Sequence, residues 1–232
     1  MNVYVRSLAS ALARAGVERI TGRVLADDTT PPAARESLAL VEAVRSYAQR
    51  IGLRVGGQYR AYAAWPGDRV VTALVATRPG EIEAAGFWFP LIGTQPYKGF
   101  FDLARAEREA AALRARGLDT CLVAVPAYST LGWFDDPVIT PMLQGGSGPL
   151  VEVLLHELVH ATVFVPGDAD FNESVASFVG QEAAVRFFAE RGDAAAAQRE
   201  RERATDDRAV ASVLASLRAQ IAELYATADD GA

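Results

Sequence analysis

The chain has only two histidines, and both lie in one pentapeptide, His-Glu-Leu-Val-His at positions 156–160. The surrounding residues are apolar, which favours a helix in the protein core. Side chains four residues apart on a helix project from the same face, one turn apart. His156 and His160 can therefore hold one Zn²⁺ ion, and Glu157 can act on water at that ion. This pattern is typical of zinc metallopeptidases.

A core helix that binds no metal is the alternative interpretation. Leu154, Leu155, Leu158 and Val159 would bury this segment whatever the histidines do. Without a cation, however, Glu157 would be a buried charge with nothing to compensate it. We therefore favour the metal site, with one Zn²⁺ per chain.

Length and composition indicate a globular protein. The chain has 232 residues, of which 50% are hydrophobic, and a net charge of −6 with no basic stripe. One metallopeptidase domain over residues 1–232 is the default, with a core at about 20–192 and a helical C-terminal segment at about 193–228. The charge argues against nucleic acid and anionic membrane surfaces as partners. Cys121 stands alone in an apolar run, which predicts a buried structural thiol.

No segment of the sequence has the length and apolarity of a membrane span. The N-terminal stretch also lacks the uninterrupted apolar run of a secretion signal, because Arg6, Arg14 and Arg19 break it. As written, the sequence predicts a soluble and, by default, cytoplasmic chain. An exported or lipid-anchored precursor is left open.

Hydrophobic periodicity predicts a helix-rich α+β fold. We expect a small mixed or antiparallel sheet packed on the metal helix and on a following ligand helix, with a long C-terminal helix or helical hairpin. Two Pro and two Gly make the aromatic stretch 87–101 a shaped loop. One strand is predicted at about 69–77, and a second, buried strand is predicted at 120–125. The helices are predicted at about 3–16, 33–51, 103–116, 147 to 164–166, 172–191 and 194–228.

A catalytic zinc ion takes three protein ligands, and no third histidine exists. The third ligand must therefore be a carboxylate or Cys121. Glu173 is the strongest candidate, because a short turn after the metal helix would bring the start of the next helix back beside the histidines. Asp168 and Asp170 are competitors that lie in the predicted turn.

Two imidazoles, one carboxylate and a water make up the site of a zinc hydrolase. The metal lowers the pKa of its water toward roughly 7, and Glu157 accepts the proton as the water attacks a peptide carbonyl. The oxyanion that forms needs a hydrogen-bond donor, commonly Tyr or His. Since no histidine is left, Tyr128 and Tyr97 are the catalytic candidates, although a tyrosine in an aromatic segment is more often packed than catalytic.

Several motifs together resemble the bacterial predicted aminopeptidases, a family of thermolysin-like zinc metallopeptidases whose members are often described as lipoproteins. The likeness covers about residues 20–190 and implies that His156, His160 and Glu173 bind zinc and that Glu157 is catalytic. It also implies a peptide substrate, bound in extended form along the segment 127–137 that precedes the metal helix. The motifs that carry the resemblance are Pro-Tyr-Lys-Gly-Phe-Phe at 96–101, Ala-Tyr-Ser-Thr-Leu-Gly-Trp-Phe at 127–134, Asp-Pro at 136–137, the pentapeptide at 156–160 and Phe-Asn-Glu-Ser at 171–174.

The apolar side chains of the C-terminal segment recur at helical spacing from Val210 to Leu224. This stripe predicts packing or the seam of a homodimer. It also supports a different function, a non-catalytic interaction module in which the zinc site is structural or vestigial and the C-terminal helix binds a partner. A structural zinc site usually has four protein ligands, and no fourth one is apparent, so the peptidase is favoured.

Overall fold

The computed structural model describes residues 17–19, 24–25, 27–28, 30–65, 70–90, 93–125 and 135–228. This part of the chain contains six helices and eight short strands, which confirms the α+β prediction with its long C-terminal helix. Two compact units are formed. The first comprises Met1–Val70 and Val125–Arg201, and the second comprises Val71–Ala124 and Glu202–Ala232.

Helices dominate the first unit. They are α1 (Pro32–Arg50), α3 (Thr140–Leu143), α4 (Ser147–Thr162) and α5 (Ala169–Glu190), and α6 (Ala194–Ala228) begins here. Helix α4 packs against both α1 and α5, and its leucines at 150, 154, 155 and 158 are fully buried. The rings of Tyr47 on α1 and Phe187 on α5 meet edge to face, with centroids 5.4 Å apart. The helix with both histidines is thus the centre of this core.

A small mixed sheet completes the first unit. Strand β2 (Ala61–Ala63) lies between β1 (Val17–Arg19), to which it is antiparallel, and β8 (Val138–Ile139), to which it is parallel. Val138 and Ile139 are fully buried. Strand β8 leads directly into α3, and α3 packs on α4. The sheet therefore anchors the chain just before the helix with the histidines.

The second unit contains the strands β3 (Val71–Thr77), β4 (Phe87–Phe89), β5 (Gly93–Gln95), β6 (Tyr97–Phe100) and β7 (Asp119–Val125) and the helix α2 (Leu103–Ala115). Its strands form a three-stranded sheet in the order β6-β3-β7 and a two-stranded antiparallel sheet, β4-β5. Leu74 and Ala76 of β3 pack against Ala110 and Leu113 of α2, which covers one face of the sheet. Strand β3 is antiparallel to β6.

Two predictions for the second unit are wrong. The stretch 87–101 is not a loop but three short strands, because its Pro90 and Pro96 fall between the strands rather than within them. Strand β7 is half-exposed rather than buried, and Cys121 on it is an exposed thiol. Leu122 packs against the core under α2. Since side chains alternate along a strand, Cys121 faces away from that core.

The helices predicted within the described ranges agree with the structure to within a few residues, whereas the sequence does not predict the short helix α3. Helix α5 begins at Ala169, three residues before the predicted start. The C-terminal segment is a single helix, and Val210, Val213 and Leu214 on it are exposed. The predicted stripe therefore does not pack within the described part of the chain, and a homodimer seam stays a prediction. No helix in the described ranges is long and apolar enough to cross a membrane.

Two other predictions fall outside the described residues. The first is the helix at about 3–16, and the second is the predicted substrate-binding segment 127–137, of which residues 127–134, with Tyr128, are not described.

Candidate metal centre

The histidines lie in the middle and last turns of α4. Gly146 precedes the helix with φ of 84°, a backbone conformation that favours glycine, and the helix ends where Val163 becomes extended. The Nε2 atoms of His156 and His160 lie 3.1 Å apart. His160 is only 5% exposed, and its Nδ1 has no hydrogen-bond partner among the described residues. Its contacts are therefore made on the Nε2 side, toward His156.

A short turn joins α4 to α5 and is fixed by two side chains. The amide of Asn172 donates through Nδ2 to the Val165 carbonyl and accepts through Oδ1 from the Val165 N–H, both at 2.8 Å. Asp168 caps α5, since its Oδ1 accepts from the N–H of Phe171 at 3.0 Å. Asn172 is buried. The residue directly before Glu173 thus ties the first turn of α5 to the end of the preceding segment.

Glu173 completes a cluster of three side chains of the types that bind metal ions. Its Oε2 atom lies 3.4 Å from Nε2 of His156 and 3.7 Å from Nε2 of His160. Ligand atoms about 2.0–2.1 Å from a tetrahedral Zn²⁺ ion are separated from one another by about 3.3–3.4 Å. The three observed separations, 3.1, 3.4 and 3.7 Å, lie close to that value. The donor set and its spacing therefore fit a zinc ion.

The side chains of the cluster shift one another's pKa values toward their charged forms. Hydrogen bonds from His156 and His160 lower the pKa of Glu173 from 4.5 to about 2, against the opposing effect of burial. For His156, burial by itself lowers the pKa, but the bond to Glu173 and the carboxylates of Glu157 and Glu152 raise it by more, to above the ordinary 6.5. Without a metal, the neighbouring carboxylates thus favour the protonated, positively charged form of His156. A metal cation at this position would neutralise those carboxylates in its place.

Glu157 lies between the two histidines on α4 and is half-buried. Its charge acts on the imidazole of His156, as the raised pKa of that ring indicates. It does not belong to the three-residue cluster. The role of Glu157 as general base stays a prediction.

The competing ligands lie elsewhere. Asp168 uses its carboxylate as the cap of α5, and Asp170 is exposed in the first turn of that helix. Cys121, on β7, does not belong to the three-residue cluster. Tyr97 is on β6 of the second unit and is 43% exposed, while Tyr128 is outside the described residues. The roles of both tyrosines stay predictions.

The sequence interpretation missed what holds Glu173 in place. The sequence places Asn172 in a motif beside Glu173 but does not predict its two hydrogen bonds to Val165. A signal was present, because a buried Asn next to a candidate ligand at a helix start often bonds to local backbone. The glycine inside α5, Gly180, is a second signal, because a glycine in a helix interior costs about 1 kcal/mol relative to alanine and often has a packing reason.

A family model described as "Putative aminopeptidase" matches residues 4–232. Comparisons with curated proteins and with solved structures give no match. The match covers nearly the whole chain, including both histidines and Glu173. The chain therefore belongs to this aminopeptidase family.

Proposed function

We propose that the protein is a zinc-dependent peptidase of the thermolysin-like group, and that it acts as an aminopeptidase. The observation that carries this proposal is the approach of two Nε2 atoms and one carboxylate oxygen to within 3.1–3.7 Å of one another. His156, His160 and Glu173 would hold the ion. Membership of the family supports peptide hydrolysis as the reaction.

Bound by these three residues, Zn²⁺ would polarise the scissile carbonyl and acidify water. Glu157 is the general base of the proposed reaction. Its carboxylate takes a proton from the water whose oxygen attacks the carbonyl carbon. The same carboxyl group then gives that proton to the amine nitrogen as the C–N bond breaks. Tyr128 and Tyr97 are the candidates to donate a hydrogen bond to the oxyanion.

The test combines metal content with cleavage. Protein purified without added zinc is measured for bound metal, then assayed on peptides with a free N-terminus and on the same peptides with an acetylated N-terminus. We expect about one zinc per chain, cleavage of the free peptides only, and loss of cleavage in chelator that zinc restores. Cleavage of both peptide sets would support peptidase activity but contradict the proposal that the protein is an aminopeptidase. A chain that binds no zinc would refute the proposal.

An interaction module is the second candidate, and the exposed apolar side chains of α6 favour it. Val213 and Leu214 are 67% and 58% exposed. In this function the zinc is structural or vestigial and α6 binds a partner. Zinc binding without cleavage of any peptide in the assay above would support this candidate over the first.

A further inference from the structure

Gly180 lies inside α5, seven residues after Glu173. Seven residues are close to two helical turns, so the two positions share one face of the helix. Ala176 lies between them on that face and is fully buried. This face of α5 is therefore the one that meets α4.

The backbone of α5 comes unusually close to His156 at Gly180. A Cβ atom added to Gly180 would lie 3.2 Å from the Cα, the Cβ and the backbone nitrogen of His156. Carbon atoms in favourable contact are about 3.5–4.0 Å apart. All three atoms belong to the helical backbone of α4 or are attached directly to it, so none can rotate away. An added methyl group would push the two helices apart by a few tenths of an ångström.

His156 connects this backbone contact to the metal centre. His156 meets α5 with its backbone at Gly180 and with its imidazole at Glu173. His156 and His160 lie on one helix, which fixes their separation, whereas Glu173 comes from the other helix. A change in the distance between α4 and α5 therefore alters the third ligand and leaves the pair of histidines unchanged. Metal sites tolerate errors of only about 0.2 Å in ligand distances.

We propose that Gly180 is a positioning residue of the metal centre. Because it has no side chain, α5 approaches the backbone of His156 closely enough for the Glu173 carboxylate to reach both Nε2 atoms. The inference rests on the proposed zinc site and adds to it a residue that touches neither metal nor substrate. It also accounts for a glycine in a helix interior, where alanine favours helix formation.

The test is the affinity of Gly180→Ala for Zn²⁺, measured by competition with a chromophoric chelator. We expect affinity about tenfold to a hundredfold weaker than in the unaltered protein, which is the usual effect of altering residues that orient metal ligands. The visible spectrum of the Co²⁺-loaded variant should also change, since it reports ligand geometry. Helix propensity alone predicts the opposite, a chain that is more stable in chelator and binds zinc as before.

Gly192→Ala is the matched control. Gly192 follows the end of the same helix with φ of 76°, and no atom lies within 4 Å of the position of its added Cβ. The substitution strains the backbone there but cannot press on His156. We expect zinc affinity and the Co²⁺ spectrum to stay unchanged.

A double-variant cycle tests the route of the effect. If Gly180 acts through Glu173, Gly180→Ala should have little effect on zinc affinity in a Glu173→Ala background. An equal loss in both backgrounds would overturn the inference. So would a Gly180→Ala chain that is unfolded in chelator, because Gly180 would then be needed for packing in general.

The inference and the proposed function fail in different ways. If the unaltered protein binds no zinc, the proposed function fails and the inference falls with it. If the unaltered protein binds zinc and Gly180→Ala binds it equally well, only the inference fails.

Discussion

The Oε2 atom of Glu173 lies 3.4 Å from Nε2 of His156, although the two residues come from different helices. His160 lies one turn from His156 on the same helix, so the spacing of the pair follows from helix geometry alone. The position of Glu173 depends instead on the turn between α4 and α5 and on the packing of those helices. The candidate centre is therefore a property of the helix pair.

Removal of any one ligand should release the metal. In His156→Ala, His160→Ala and Glu173→Ala, two protein ligands remain, and these hold Zn²⁺ weakly. We expect zinc content well below one per chain after dialysis, measured by atomic absorption. The protein should also lose the increase in thermal stability that zinc gives in proportion to its affinity for the folded state.

Asp170→Ala is the control for Glu173→Ala, because Asp170 is an exposed carboxylate in the first turn of the same helix. Its zinc content should be unchanged. Full zinc retention in Glu173→Ala, with loss in Asp168→Ala or Asp170→Ala, would reassign the third ligand.

Glu157→Gln should keep the metal and lose most of the activity. The amide has nearly the shape of the carboxylate but cannot accept a proton, and general bases contribute about 10²–10⁴-fold to the rate. The measurement is kcat at saturating peptide, together with zinc content. Glu152→Gln is the control, since Glu152 is also half-buried on α4 and its charge also acts on His156. We expect its kcat to change only a fewfold, and zinc loss in Glu157→Gln would count against the proposed role.

Asn172→Ala should weaken both the fold and the metal centre. The substitution removes both hydrogen bonds to Val165, which costs about 1–2 kcal/mol because Val165 is 40% exposed and water can replace part of the loss. Since Glu173 is the next residue, zinc affinity should fall as well. Thermal unfolding in chelator and zinc competition measure the two effects separately. Ser174→Ala, an exposed neighbour on the other side of Glu173, should change neither.

Local patterns predict every described helix except the short α3, because helix periodicity is encoded in adjacent sequence. The pair His156 and His160 follows from its spacing, and Glu173 from the short turn expected after the metal helix. Contacts between segments that are distant in the sequence cannot be predicted from local patterns. The stretch 87–101 forms strands through pairing such as that of Phe87 with Gln95, which no local pattern specifies. The apolar run around Cys121 predicts a buried thiol, but only the position of α2 decides which face of the sheet is covered. The contact of Gly180 with His156 likewise requires the packing of two helices.

The pH dependence of the metal-free protein follows from the shifted pKa values. Glu173, with its pKa lowered to about 2, contributes stability that is fully present above pH 4.5 and is lost as pH falls toward 2. His156, with its pKa raised, contributes stability that is fully present below pH 6.5 and is lost as pH rises through the raised value. In chelator, the pair should therefore stabilise the fold most between pH 4.5 and 6.5.

The measurement is the difference in unfolding temperature between the unaltered protein and Glu173→Gln, taken in chelator across this range. Zinc affinity should show the opposite trend and rise above pH 6.5, because the proton on His156 competes with the metal. A temperature difference that grows toward pH 8 in chelator would contradict the assignment.

Tyr128→Phe and Tyr97→Phe test which phenol, if either, donates to the oxyanion. Tyr128 lies outside the described residues and Tyr97 lies on β6, so the prediction rests on the sequence and on the chemistry of the reaction. Loss of a single oxyanion donor lowers kcat by about a hundredfold or more. Zinc content, folding and substrate affinity should be nearly unchanged, since the donor acts only as charge develops in the transition state.

We expect the large loss in Tyr128→Phe and a change of only a fewfold in Tyr97→Phe, measured as kcat on the same peptide with zinc content as the control. The reverse result would transfer the role to Tyr97. If Tyr128 only shapes the surface on which substrate binds, its substitution should raise KM and leave kcat within a fewfold. Two variants with full kcat would exclude both phenols, and the donor would then be sought among backbone N–H groups, which supply oxyanion donors in other hydrolases.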